Sequence, residues 1–219
     1  MGRLSAETKR VLADIEALPK RNTPSMRRIR RASSTRLATA AAEVVLRIAH
    51  ELIGRRRRWL GYELIHHHPA TLHSLKLYQV EALGAGMQSW DEVDTFCGYI
   101  AGPCWANEQI SDAAVKRWAR SSDRWWRRAA LVATTGLNVR HRGGYGDPQR
   151  TLMIATLLVD DHDDMVEKAM SWALRDLIYW DTRGVRQFVK KHEAVLGARV
   201  KREVGNKLRT GLKNPGTKK

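Results

Sequence analysis

The sequence predicts an all-α protein, an α-solenoid of antiparallel helix pairs with a concave basic face. Three observations predict it. Apolar residues recur at helical spacing along most of the chain, while no Asn-Gly or Asp-Gly turn joins alternating β-branched runs. Basic amphipathic segments return at a regular interval, with Arg58, Asp94, Arg128 and Lys168 spaced 36, 34 and 40 residues apart. That is the period of HEAT- and armadillo-type helix pairs. Finally, 39 Lys and Arg stand against 23 Asp and Glu, a formal net charge of +16.

The elements follow in order. Ser5 to Leu18 carries Leu4, Val11, Leu12, Ile15 and Leu18 along one side and stops at Pro19. Lys20 to Thr35, with Pro24 and a dense Arg run, predicts a mobile basic arm. Ala38 to Ile53 is rich in helix formers and stops at Gly54. Arg58 to His67 follows. Ser89, with Glu92 at the capping-box position, starts a helix that Gly102-Pro103 should end. Residues 107–120, 123–135, 148–159, 163–178, 182–195 and about 197–211 read as further helices. Gly136 to Asp147 holds Gly143, Gly144 and Gly146 with Arg140, His141 and Arg142. It lacks the Walker phosphate-binding spacing. It reads either as an exposed insertion or as a contact with a nucleic-acid backbone. The expected organisation is an N-terminal helix and basic arm over 1–36, a repeat domain over 37–211 and a disordered basic tail over 212–219.

Composition narrows function. A positive excess of this size attracts a polyanion: DNA, RNA or an anionic membrane face, with nucleic acid the favoured reading. No apolar run approaches the length of a membrane span, and the N-terminus has no apolar signal-peptide core. A cytoplasmic protein is expected. Cys97 and Cys104 lack CxxC spacing and a second pair, so no zinc site is predicted. His66-His67-His68 point about 100° apart along a helix and do not converge on a metal. Asp160, Asp161, His162, Asp163 and Asp164 lack EF-hand spacing and read as a solvated turn, with Asp163 or Asp164 near a helix N-terminus.

Two segments carry more information. Trp90 and Asp94 are four residues apart and share a helix face. A carboxylate beside an indole on a basic surface is repelled by phosphates, so it needs a reason. Either it stabilises positive charge developing on a substrate, or it pairs with a neighbouring Arg in the core. Trp172 and Arg175, three apart, also share a face, and Trp125 and Arg128 repeat that arrangement. In each an Arg can meet phosphate while the indole packs on sugar or base, or the Trp is core and the Arg surface.

Taken together, Ser89-Trp90-Asp91-Glu92-Val93-Asp94, Trp125-Trp126-Arg127-Arg128-Ala129-Ala130 and Lys168-Ala169-Met170-Ser171-Trp172-Ala173-Leu174-Arg175 resemble the AlkD-like DNA alkylation repair family of glycosylases. Lys201-Arg202-Glu203 adds a weaker match, and the resemblance spans roughly residues 40–210. It implies a HEAT-like solenoid around duplex DNA, with Trp90, Asp94 and Trp172 forming the active-site cleft. Arg128 and Arg175 are implied to touch the DNA backbone. Trp125, Arg127, Lys168 and Arg202, in the matching segments, are expected to add DNA contacts. The implied activity is excision of N3- and N7-alkylated purines by a monofunctional, metal-independent monomer without cofactor. The alternatives are a non-catalytic binder of damaged or branched DNA and a helical protein-interaction scaffold.

Charge alone yields a first test. If roughly six phosphates are neutralised, duplex affinity should fall with salt at a log–log slope near −5. A salt titration giving a flat affinity would reject a DNA-binding surface.

Overall fold

The structure, a computed structural model, describes residues 4–216, and among these there are helices, turns and no β-strand. No helix among them is long and apolar enough to cross a membrane. The chain forms two compact units, residues 1–85 and 86–219. The expected boundary after residue 36 therefore falls inside the first unit.

The first unit contains α1 (Ala6–Glu16), α2 (Thr23–Arg36), α3 (Ala42–Gly54), α4 (Arg58–His66), α5 (Pro69–Ser74) and α6 (Leu77–Gly84). Its core joins Val11 and Ile15, Ile29 and Leu37, Val45, Ile48 and Leu52, and Leu60 and Leu64. The predicted mobile arm is instead α2. Asn22 caps it by accepting from the Ser25 N–H, and the Ser25 hydroxyl accepts from the Asn22 N–H in return. Pro24 sits in the first turn, where its missing N–H costs nothing. Ile29 is buried, and Arg30 and Arg36 pair with Glu63 and Glu7. The Arg density hid an amphipathic helix. Two short helices, α5 and α6, lie where no helix was expected. The imidazole of His68 caps α5 by accepting from the Thr71 N–H, so this histidine has a structural task.

The second unit contains α7 (Trp90–Phe96), α8 (Gly102–Ala106), α9 (Asp112–Ala119), α10 (Arg124–Asn138), α11 (Pro148–Leu157), α12 (Asp164–Leu177), α13 (Thr182–Lys191) and α14 (Ala198–Thr210). Helices α7, α10, α12 and α14 form a row in which each packs on the next, while α9, α11 and α13 pack behind it. The stripe Val166, Ala169, Ala173 and Leu177 is fully buried, which seats α12 in the row and leaves its other faces for chemistry.

Gly102-Pro103 does not end the helix begun at Trp90. One π-turn, Cys97–Ala101, lets the Gly102 N–H bond to the Cys97 carbonyl five residues back. Pro103 follows directly on this π-turn, whose wider backbone spacing lets the helix run on past a residue that has no N–H to donate. Ser89 makes no side-chain cap. Glu92 reaches back one residue further than expected, accepting from the Gln88 N–H at 2.8 Å. The Gly-rich insertion folds back on α10, with the Tyr145 and Gly146 N–H groups both donating to the Leu137 carbonyl. The Trp180 indole donates to the Asn138 carbonyl at 2.8 Å. The C-terminal segment is also tied down rather than disordered. The Lys213 Nζ lies 3.4 Å from the buried Glu203 carboxylate, and the Lys213 carbonyl accepts from Asn206. Residues 217–219 of the expected tail lie outside the described residues.

The α8–α10 contact depends on two glycines. A Cβ at Gly136 would lie 2.8 Å from the Gly102 Cα. Gly136→Ala should therefore lower stability by about 1–3 kcal/mol, the usual cost of overpacking. Thermal or urea unfolding checks it, and an unchanged midpoint would contradict the close packing.

Candidate active site

The row α7–α10–α12–α14 brings the residues of the three sequence segments together. Asp94 on α7 meets Arg128 on α10 in a bidentate pair. Nε donates to Oδ1 at 3.0 Å, and Nη2 donates to Oδ1 at 2.8 Å and to Oδ2 at 3.0 Å. Nη1 donates to the Met165 carbonyl at 2.7 Å, at the start of α12. The Arg128 side chain is 5% exposed and that of Asp94 19%. A guanidinium this buried is tolerable only with nearly all its donors used. Arg128 was expected to touch DNA backbone; the structure commits most of its N–H groups to Asp94 and Met165.

Beside this pair lies a cleft of about 270 Å³, with Trp90, Met165 and Trp172 as its apolar walls. Arg128, Lys168, Arg175, Arg199 and Lys213 line the rest, so the described lining holds five cationic side chains and no carboxylate. Trp90 is 56% exposed, and Trp172 is half-buried. Both indoles are therefore open to a ligand. By contrast Trp105 is fully buried, and Trp126 packs edge-on against Phe96 with ring centroids 5.9 Å apart.

Carboxylates stand behind the cations. Asp164 binds Lys168 at 2.6 Å and Arg199 at 2.9 Å, and the hydrogen bond from Lys168 leads the effects that lower its pKa. Glu203 is buried on α14 and accepts from the Ser171 hydroxyl at 2.6 Å, which in turn accepts from Arg175 Nε at 3.2 Å. Burial pushes the Glu203 carboxyl up, but the Ser171 hydrogen bond and the nearby Lys213 and Arg175 together bring it below its ordinary value. These acids fix the cations without facing the cleft.

Other expected contacts are engaged elsewhere. Arg127 donates to Asp161 at 2.7 Å and to the Ser121 and Ser122 carbonyls, which closes the turn before α10. Trp125 is half-buried, with the Arg124 guanidinium 4.8 Å from its ring centre, and neither lines the cleft. Arg202 is exposed outside the cleft, 3.9 Å from Glu203. The acidic knot is a set of partners: Asp161 holds Arg127, Asp163 caps α12 and Asp164 holds Lys168 and Arg199. Arg199, Lys213 and Met165 were missed as cleft residues. Arg199 lies one turn before Arg202-Glu203, so the helical spacing of α14 was a usable signal.

The two thiols are buried. Burial pushes Cys97 well up, and the neighbouring Asp94 adds to that; Cys104 is pushed up to about 12 by burial alone. Neither is poised as a nucleophile. Among the described residues no group of three or more His, Cys, Asp or Glu is arranged to hold a metal ion.

Among the described residues the protein is all-helical, and its cleft combines cationic side chains with two open indoles. The chain belongs to the DNA alkylation repair enzyme family, whose model matches residues 21–208. None of the curated proteins matches it. Membership assigns the protein to the repair of alkylated DNA and makes DNA its partner.

The Asp94–Arg128 pair has a measurable weight. Arg128→Ala should cost about 3–5 kcal/mol, because it removes a bidentate guanidinium from a largely buried carboxylate and the α7–α10–α12 bridge with it. Denaturant unfolding measures this, and a loss below about 1 kcal/mol would show that the pair does not hold the helices together.

Proposed function

We propose that the protein is a monofunctional DNA glycosylase that removes positively charged N3- and N7-alkylated purines from duplex DNA, acting as a monomer without metal or cofactor. The observation that carries this is a fixed carboxylate, Asp94, one helical turn from an exposed indole at the edge of a cationic cleft. The paired helices and the basic lining support a HEAT-like array that cradles the duplex.

Alkylation at N3 or N7 places a formal positive charge on the purine and makes it a good leaving group. The C1′–N bond breaks with its electron pair leaving on the base, which neutralises that charge. The sugar is left as an oxocarbenium-like cation. The Asp94 carboxylate stabilises that cation and orients a water, whose oxygen bonds to C1′ while its proton passes to the carboxylate or to solvent. Arg128 is a positioning residue that locks the Asp94 rotamer. Trp90 and Trp172 offer π faces to the cationic lesion and its sugar. Arg175, Lys168, Arg199 and Lys213 take the flanking phosphates, and Arg202 adds charge at the periphery. An open cleft of this kind reads the sugar-phosphate side and tolerates bulky adducts.

The bidentate Asp94–Arg128 pair favours a second reading, in which Asp94 is structural and the protein binds damaged or branched DNA without cutting it. Asp94→Asn separates the two. It keeps an oxygen acceptor for Arg128 and removes the charge. Single-turnover release of 7-methylguanine from methylated duplex should fall about 100- to 1,000-fold, with duplex affinity retained and the fold checked by melting. Near-normal release from the Asn variant would remove Asp94 from the reaction.

A further inference from the structure

A second cavity also has Trp172 in its lining. It measures about 410 Å³, within the roughly 300–1,000 Å³ span of ligand sites. Trp172, Asp176 and Tyr179 form one wall, spaced four and three residues apart along α12 and its end. Val139, Arg140 and His141 form the other, from the turn that opens the Gly-rich insertion. Trp172 lines both this cavity and the cationic cleft.

The facing turn is built in place. Trp180 donates to the Asn138 carbonyl, and the Arg140 guanidinium stacks 4.7 Å from the Trp180 ring centre. Gly146, at φ +82°, lets the chain pass against that indole, where a Cβ would collide with the ring. Tyr179 is 68% exposed, too open for a core residue. The Lys207 ammonium lies 3.1 Å from its hydroxyl and 4.8 Å from its ring centre. The site thus has an aromatic wall of Trp172 and Tyr179, with the exposed Arg140 guanidinium and the His141 imidazole at its edge and Asp176 in its lining. With the rings of Trp172 and Tyr179 in the wall and the exposed Arg140 at the edge, an anionic ligand places its apolar part on the rings and its charge at the edge.

We infer that this cavity is a second DNA subsite, which takes one deoxyribose-phosphate unit of the strand running past Trp172. The sugar and its base edge pack on Tyr179 and Trp172, and the phosphate lies at Arg140 and His141. The inference rests on the DNA reading above, and Trp172 is shared by the two subsites. It gives the Gly-rich insertion a task.

The test is equilibrium binding to a duplex carrying a tetrahydrofuran abasic-site analogue, which needs no excision. Arg140→Ala should reduce the log–log salt slope by about 0.9, the loss of one phosphate contact. Tyr179→Ala should weaken binding about tenfold with the slope unchanged, and Tyr179→Phe should restore it because the ring is kept. Both penalties should vanish when the duplex is cut short on one side of the analogue and persist when it is cut short on the other. Penalties independent of duplex length, wild-type affinity in both Ala variants, or a Phe variant as weak as Ala would overturn the subsite alone. A wild-type chain that fails to bind duplex would overturn the DNA reading and the subsite with it.

Discussion

The second unit is organised around the Arg128–Asp94 pair. It draws α7 and α10 together through three hydrogen bonds and reaches α12 through the Met165 carbonyl. Removing a guanidinium from water costs several kcal/mol unless nearly every donor is satisfied. Here bidentate geometry and one backbone carbonyl supply that satisfaction. The pair demands an accurate distance between helices, and the Gly102–Gly136 contact helps set it by letting α8 and α10 approach backbone to backbone. The π-turn carries the chain from α7 into α8 without a break. Trp90 then stands one turn before Asp94, outside the buried pair and open to solvent.

Around that pair, charge is layered. Cations face the cleft, and acids behind them hold their orientation. Lys168 and Arg199 share Asp164, while Arg175 reaches Glu203 through the Ser171 hydroxyl. A lysine or arginine held this way has already lost part of its side-chain freedom, so a phosphate meets a fixed donor. The acids reduce the local charge but leave an excess of cations over carboxylates, consistent with the net +16 of the chain.

Much of this is legible in the sequence because it repeats along single helices. The stripe Val166, Ala169, Ala173 and Leu177 fixes the buried face of α12, and from it follows the open side that carries Lys168 and Arg175. The Trp90–Asp94 spacing places an indole and a carboxylate on one turn. What lies between helices is hidden from such spacing. Arg128 and Asp94 are 34 residues apart, and the sequence offers no sign of whether Arg128 turns to phosphate or to Asp94. Lys213 falls in a stretch whose composition resembles a disordered tail, yet one buried carboxylate, Glu203, draws it into the cleft. The arginines of α2 misled for the same reason, since their partners Glu7 and Glu63 lie on α1 and α4. At Gly102-Pro103 a single π-turn overrides an ordinary helix stop.

The central claim is that this cleft breaks a glycosidic bond. The most direct measurement is release of free base from a dimethyl-sulfate-treated duplex by the purified wild-type protein with a chelator present. The account predicts free 7-methylguanine and 3-methyladenine, and an abasic site left in an unbroken strand. Binding of the same duplex with no base released would contradict it and leave a protein that holds damaged DNA without cutting it.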